Sequence, residues 1–168
     1  MIGIRRADPG DAQSLVELAG EVSREDGAWL LTTAEWRSVA DERRYLRAVR
    51  RHPDAAVYVA TDGESLVGRL SLARDLHPAS SHVADLGLMV AATHRRRGVG
   101  RALLEQAVTW GEGAGIRKLE LHVLPWNEPA IALYTSFGFE REGLRKGHYL
   151  RDGAPVDAIL MALQIRAP

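Results

Sequence analysis

One stretch constrains this chain more than any other. Residues 83–107, VADLGLMVAATHRRRGVGRALLEQA, run as a strand into a turn of four arginines and two glycines and leave as an apolar helix. Such a turn leaves backbone N–H groups without intrahelical acceptors at the strand's C-terminal edge, and with the helix dipole they favour an anion. Gly98 and Gly100 carry no Cβ, so the backbone can curl around a phosphate and a ligand can approach closely. On spacing alone, an anion cradle and an ordinary turn with solvated arginines fit equally well. Two phosphate loops are excluded. The turn has no Gly-Lys-Ser/Thr ending, and Leu103 stands where the dinucleotide fingerprint needs its third glycine.

The rest of the chain alternates helical and strand periods. IGIRRA is a first strand ending at Asp8-Pro9-Gly10, where Asp8 caps a helix that runs to about Ser23 with Leu15, Val16, Leu18, Ala19 and Val22 at helical spacing. Thr32 and Glu35 form a capping-box signature for a second helix reaching Arg51. AAVYVAT, an Asp62-Gly63 turn and SLVGRLSLAR make a hairpin. KLELHV (118–123) alternates strictly, with Leu119, Leu121 and Val123 on one face and Glu120 and His122 on the other. Asn127 caps a helix that ends at Gly138, and two strands around FEREGLR and VDAILMALQI, joined by RDG, close the order β-α-α-β-β-β-α-β-α-β-β. No linker or repeat interrupts it, so 168 residues are expected to form one domain.

Composition removes several function classes. With 22 basic and 22 acidic side chains the chain is neutral overall, and no aromatic residues interleave with the basic run, which argues against nucleic acid. There is no cysteine, and the histidines show no metal-ligand spacing, so no metal is expected. Neither an apolar leader nor a run of transmembrane length is present, so a cytoplasmic protein without membrane contact is the expectation.

Arg95-x-x-Gly98-x-Gly100 resembles the pyrophosphate-binding motif of the GNAT N-acetyltransferases, and NEPAIALYTSFGF (127–139) resembles that family's second signature. The order of elements and the closing GLRKGHYLRDGAPVDAILMAL are similar to a branch containing bacterial amino-acid, polyamine and ribosomal-protein acetyltransferases. The resemblance implies an α/β (α+β) GNAT fold, with a mixed sheet of six to seven strands flanked by about four helices. It also implies acetyl-CoA as co-substrate and an amine on a small molecule or peptide as acceptor, and it leaves a homodimer open. The strands either side of the helix 99–113 would part, and Leu88, Met89 and Val90 would pair with the pantetheine arm, with an N–H near Met89 or Val90 polarising the thioester carbonyl. The amides from Arg96 through Arg97, Gly98, Val99 and Gly100 to Arg101 would cradle the pyrophosphate, and the arginines, Arg95 included, would draw the anion.

Tyr134 matches the family tyrosine that protonates the departing thiolate, against a core-packing role, and Asn127 would touch the pantetheine arm as well as cap its helix. His122 stands where some members carry a glutamate base. A base and a strand histidine held by hydrogen bonds are equal readings, with Glu120 or Asp85 available for a water relay. Glu25 and Asp26 are expected to hold a cationic amine and Trp29 or Tyr149 to cover it. A coenzyme A-binding regulatory domain without catalysis is the alternative, because fold does not fix function.

Overall fold

The computed structural model describes residues 1–31 and 36–165. Its frame is one sheet of seven strands in the order β1-β2-β3-β4-β5-β7-β6. In chain order these are β1 (Ile2–Arg6), β2 (Ala55–Asp62), β3 (Ser65–Arg74), β4 (Val83–Val90), β5 (Lys118–Val123), β6 (Glu140–Arg151) and β7 (Ala154–Gln164). The helices are α1 (Ala12–Ser23), α2 (Val39–Arg51), α3 (Val99–Ala114) and α4 (Glu128–Phe137). Every pair of neighbouring strands is antiparallel except β4 and β5. The chain order, the mixed sheet and the four helices agree with the reading of the sequence.

Side-chain alternation sorts the helices onto two faces. On β3, a Cβ at Gly68 would stand 3.0 Å from Leu103 of α3, while the adjacent Arg69 turns to Glu42 of α2. So α3 covers one face and α2 the other. Leu70, Leu72, Leu103, Leu104, Leu119 and Leu121 fill the main core, and Leu15, Leu46, Val57 and Val59 form a second cluster under α1 and α2. Leu103 is fully buried, and truncating such a side chain to alanine costs roughly 2–5 kcal/mol.

Two boundaries differ from the sequence reading. The expected capping box, Thr32 and Glu35, lies outside the described residues, and α2 begins only at Val39. Ser38 is its cap: the hydroxyl accepts from the Asp41 N–H at 3.1 Å, and Asp41 and Glu42 complement the dipole in the first turn. The strand expected at FEREGLR continues to Arg151, because Gly147, at φ +56°, sits where the β6–β7 register shifts and its N–H is satisfied by Asp157 at 2.8 Å. Asp152 and Gly153 both take positive φ in the tight turn that follows.

Replacing Ser38 with alanine should lower stability by about 1 kcal/mol, read as a fall in the urea midpoint at unchanged slope. No change would mean that the helix draws its N-terminal support from elsewhere.

Candidate active site

The parallel pair β4–β5 holds for only three residues, Val83–Lys118, Ala84–Leu119 and Asp85–Glu120. Beyond Asp85 the strands part. The Ala91 N–H donates to Val67 and the Asp75 N–H to Val83, both at 2.9 Å, so odd-numbered backbone groups of β4 face β3. Those of Leu88 and Val90 therefore turn toward the gap. There the Val90 carbonyl accepts Arg95 Nε at 3.1 Å, and among the described residues no strand pairs with the remaining groups. The gap opens into a cleft of about 720 Å³ bordered by β4, the end of β5, the glycine-arginine turn and α4.

The turn itself bends through two left-handed residues, Arg96 at φ +61° and Gly98 at φ +84°. The first helical bond of α3 runs from the Ala102 N–H to the Gly98 carbonyl at 3.0 Å. The amides of Val99, Gly100 and Arg101 thus have no intrahelical acceptor, and those of Arg96, Arg97 and Gly98 bond to no other described residue. Gly98 and Gly100 differ in what they require. A Cβ at Gly98 would meet nothing, so only its φ calls for glycine, whereas one at Gly100 would stand 2.7 Å from Leu133 of α4.

Of the arginines, Arg95, Arg96 and Arg101 border the cleft. Arg97 does not; its guanidinium lies 3.9 Å from Asp62 in the β2–β3 hairpin. Arg95 departs from its expected role. Its guanidinium forks onto both carboxylate oxygens of Glu25 at 2.6 Å, so its charge is spent within the protein. Glu25 is therefore no free anion for a cationic acceptor, and the Trp29 indole N–H also donates to it at 2.9 Å. Asp26 is exposed and borders no part of the cleft, while Trp29 does border it. Further bonds hold this segment, from Trp126 Nε1 to the Ala28 carbonyl and from Arg151 to that of Leu30.

Tyr134, on α4, is 6% exposed, borders the cleft and packs 5.6 Å from Phe139. Its hydroxyl bonds to no other described residue, and burial pushes the phenol's pKa up, so it keeps its proton throughout the neutral range. Asn127 caps α4, its Oδ1 accepting from the Ala130 N–H at 3.3 Å, and also borders the cleft. His122 reaches the cleft from β5, with Nδ1 2.6 Å from the hydroxyl of Tyr149. Tyr149 thus stands beside His122, outside the cleft wall, where the sequence reading has it covering the acceptor. Burial, then Arg145 and His148, lower the His122 pKa against an opposing Glu120. Glu120 is paired with Lys118 at 2.9 Å, and burial with the Glu120 and Asp75 charges raises Asp85; neither carboxylate borders the cleft.

The sequence reading passes over Leu30, Leu31, Trp36, Arg69 and Ser71, all of which border the cleft on its α1–α2 side. One signal was present, a lone arginine inside the apolar run SLVGRLSL. Among the described residues, no group of three or more His, Asp or Glu is arranged to hold a metal ion, and no helix is long and apolar enough to cross a membrane.

Comparison with known proteins gives a consistent family. Residues 21–139 match the acetyltransferase (GNAT) family. The chain is 39% identical over 102 residues to the L-amino acid N-acetyltransferase AaaT of Escherichia coli, covering 60% of this chain and 62% of that one. It therefore spans less than two thirds of that relative's length. It is 33% identical over 147 residues to the N-alpha-acetyltransferase RimI of Mycobacterium tuberculosis, covering 86% of this chain and 82% of the other. The structure of yncA from Salmonella typhimurium, described as a putative acetyltransferase with its cofactor acetyl-CoA, superimposes with a TM-score of 0.86 at 19% identity. That match covers 100% of this chain and 96% of that chain.

The Glu25–Arg95 fork carries its own pH dependence. Burial works against the Glu25 carboxylate, but Arg95 and the Trp29 indole outweigh it and hold its pKa below the ordinary 4.5. A depressed folded pKa contributes stability above the unfolded value that is lost as pH falls through the folded one. Glu25→Gln should melt below the wild type at pH 7, and the difference should vanish as pH drops below 4.5. A pH-independent difference would show that the carboxylate's charge is not what holds the fork.

Proposed function

This chain belongs to the acetyltransferase (GNAT) family, and on that footing we propose that it is an N-acetyltransferase, moving an acetyl group from acetyl-CoA to a primary amine by direct attack in a ternary complex. A single domain spanning residues 1–168 is part of this reading. The observation that carries it is the parting of β4 from β5 after Asp85, with the unpaired amides of the turn at the mouth of the resulting cleft. These features fit the donor. The freed backbone of Leu88 and Val90 matches an extended amide-bearing arm, and the amides from Arg96 to Arg101 match a pyrophosphate. Arg96 and Arg101 add positive charge at its rim, and Asn127 faces the same arm.

When bound, acetyl-CoA supplies an activated acyl group as its thioester. The chain's residues do the rest. Between the two candidates for polarising the carbonyl, the strand alternation favours the Val90 N–H, which faces the gap, over that of Met89, which faces β3. Tyr134 delivers its proton to the sulfur as the carbon–sulfur bond breaks; its raised pKa and unpaired hydroxyl suit a donor. His122 takes the proton that the attacking amine releases, directly or through water. In the tautomer whose Nδ1–H donates to the Tyr149 oxygen, Nε2 keeps its lone pair for that proton, and the lowered pKa keeps the ring neutral at pH 7.

Free thiol release from acetyl-CoA across a panel of amines, with coenzyme A affinity measured by calorimetry on the same protein, tests the reading. Release with one acceptor class supports it, and binding without release on any amine favours a non-catalytic coenzyme A-binding domain. Tyr134→Phe should cut kcat about 10²–10⁴-fold, the range for general acid catalysis, with coenzyme A affinity preserved; unchanged turnover would remove Tyr134 from the chemistry. The acid limb of kcat/KM should have its midpoint below 6.5, the ordinary histidine value, since burial lowers the His122 pKa. An unaltered limb in His122→Gln would assign the base elsewhere.

A further inference from the structure

The acceptor side of the cleft holds a buried cation that the reaction above does not use. Arg69 lies on β3 directly opposite Met89 of β4, on the face toward α2. Its side chain is 8% exposed, yet it borders the cleft. Glu42 of α2, fully buried, faces it, but Glu42 Oε2 is taken by Arg37 at 2.7 Å. The Arg69 guanidinium stands 3.9 Å from Oε1, beyond hydrogen-bond reach. Both Arg69 Nε and Glu42 Oε1 lack any hydrogen-bond partner among the described residues.

Among the described residues, two guanidinium groups therefore share one carboxylate, leaving a charge of +1 there. Arg37 is 40% exposed and can spread its charge into water; Arg69 cannot. The Trp36 and Tyr45 rings lie 5.3 and 6.0 Å from the Arg69 guanidinium, and the Tyr45 oxygen also takes a hydrogen bond from it, while Nε has none. A ring face attracts a cation but accepts no hydrogen bond in the plane of the guanidinium fork. Burying a cation with donors unspent is costly, and an arriving anion offsets that cost.

We infer that Arg69 receives the carboxylate of a free α-amino acid, so that the acceptor's α-amine is presented beside Met89 and Val90. This rests on the acetyltransferase reading and narrows its acceptor. Neighbouring strands lie about 4.8 Å apart, so an anion held over β3 leaves its α-amine within reach of β4. Arg69, Ser71 and Gly87 share the face that carries His122, as the β3–β4 and β4–β5 registers require. A polyamine brings no anion to this position, and a peptide N-terminus brings only a neutral amide. Trp29, Leu30, Leu31 and Trp36 wall the same side of the cleft, which suits an apolar side chain on the amino acid.

The test compares L-leucine, L-methionine and L-phenylalanine with their carboxamides, spermidine and an alanyl peptide. Calorimetry on the protein saturated with coenzyme A reads binding, and thiol release from acetyl-CoA reads turnover. A charge-assisted fork predicts a roughly 10- to 100-fold preference for the free acids over their amides. Arg69→Met, which leaves Glu42 its bond to Arg37, should abolish that preference while coenzyme A affinity is kept; Arg69→Lys should restore part of it. Equal acid and amide in the wild type would overturn the inference whatever the variants do, as would faster turnover of spermidine or the peptide. Arg69-dependent binding of the acids with no thiol release on any amine would sustain the carboxylate site and overturn the acetyltransferase reading instead.

Discussion

Three residue pairs between β4 and β5 set the terms for everything around them. A sheet that kept this ladder to the end would have no internal gap, and a sheet without it would fall into two halves. By stopping after Asp85, the ladder leaves strand backbone unpaired inside the protein, which is tolerated only where something else can satisfy it. Each parted strand is secured on its far side, β4 by seven pairs with β3 and β5 by six with β7. Leu103, Leu104, Leu119 and Leu121 pack behind them in the main core. The gap is thus paired on both banks, and the cleft is a property of the sheet before any side chain is considered.

The side chains then link regions far apart in sequence. Arg95 and Glu25 are separated by 70 residues, and their fork joins the glycine-arginine turn to the segment after α1, which also supplies Trp29 to the cleft. The turn and that wall of the cleft are therefore joined through one partly exposed ion pair. Such a pair is worth little as stability in itself. Its effect is geometric, since Arg95 also grips the Val90 carbonyl at the end of the parted strand.

Local periodicity made most of the fold legible. KLELHV alternates as it folds, VADLGLMV runs into the arginine turn, and Asn127 caps α4 as its position suggests. What the sequence concealed is non-local. Nothing in the residues around Asp85 says where its ladder ends, because that depends on the angle at which β5 arrives. Charged residues were the hardest to place: Glu25 and Arg95, read as two separate ligand contacts, pair with each other, while Arg69 was hidden within an apolar run. Tyr149 stands beside His122 and not on the cleft wall, because the long β6–β7 hairpin brings its hydroxyl there.

The two glycines of the turn look interchangeable in the sequence and are not. Gly100 stands against the far end of the Leu133 side chain on α4, so a larger residue there is accommodated only if that side chain turns aside. Gly98 touches nothing and answers only to the path of the backbone. That path holds with or without a ligand, so a descendant that bound nothing would still be strained by a side chain at Gly98, while Gly100 could be filled once Leu133 turned aside.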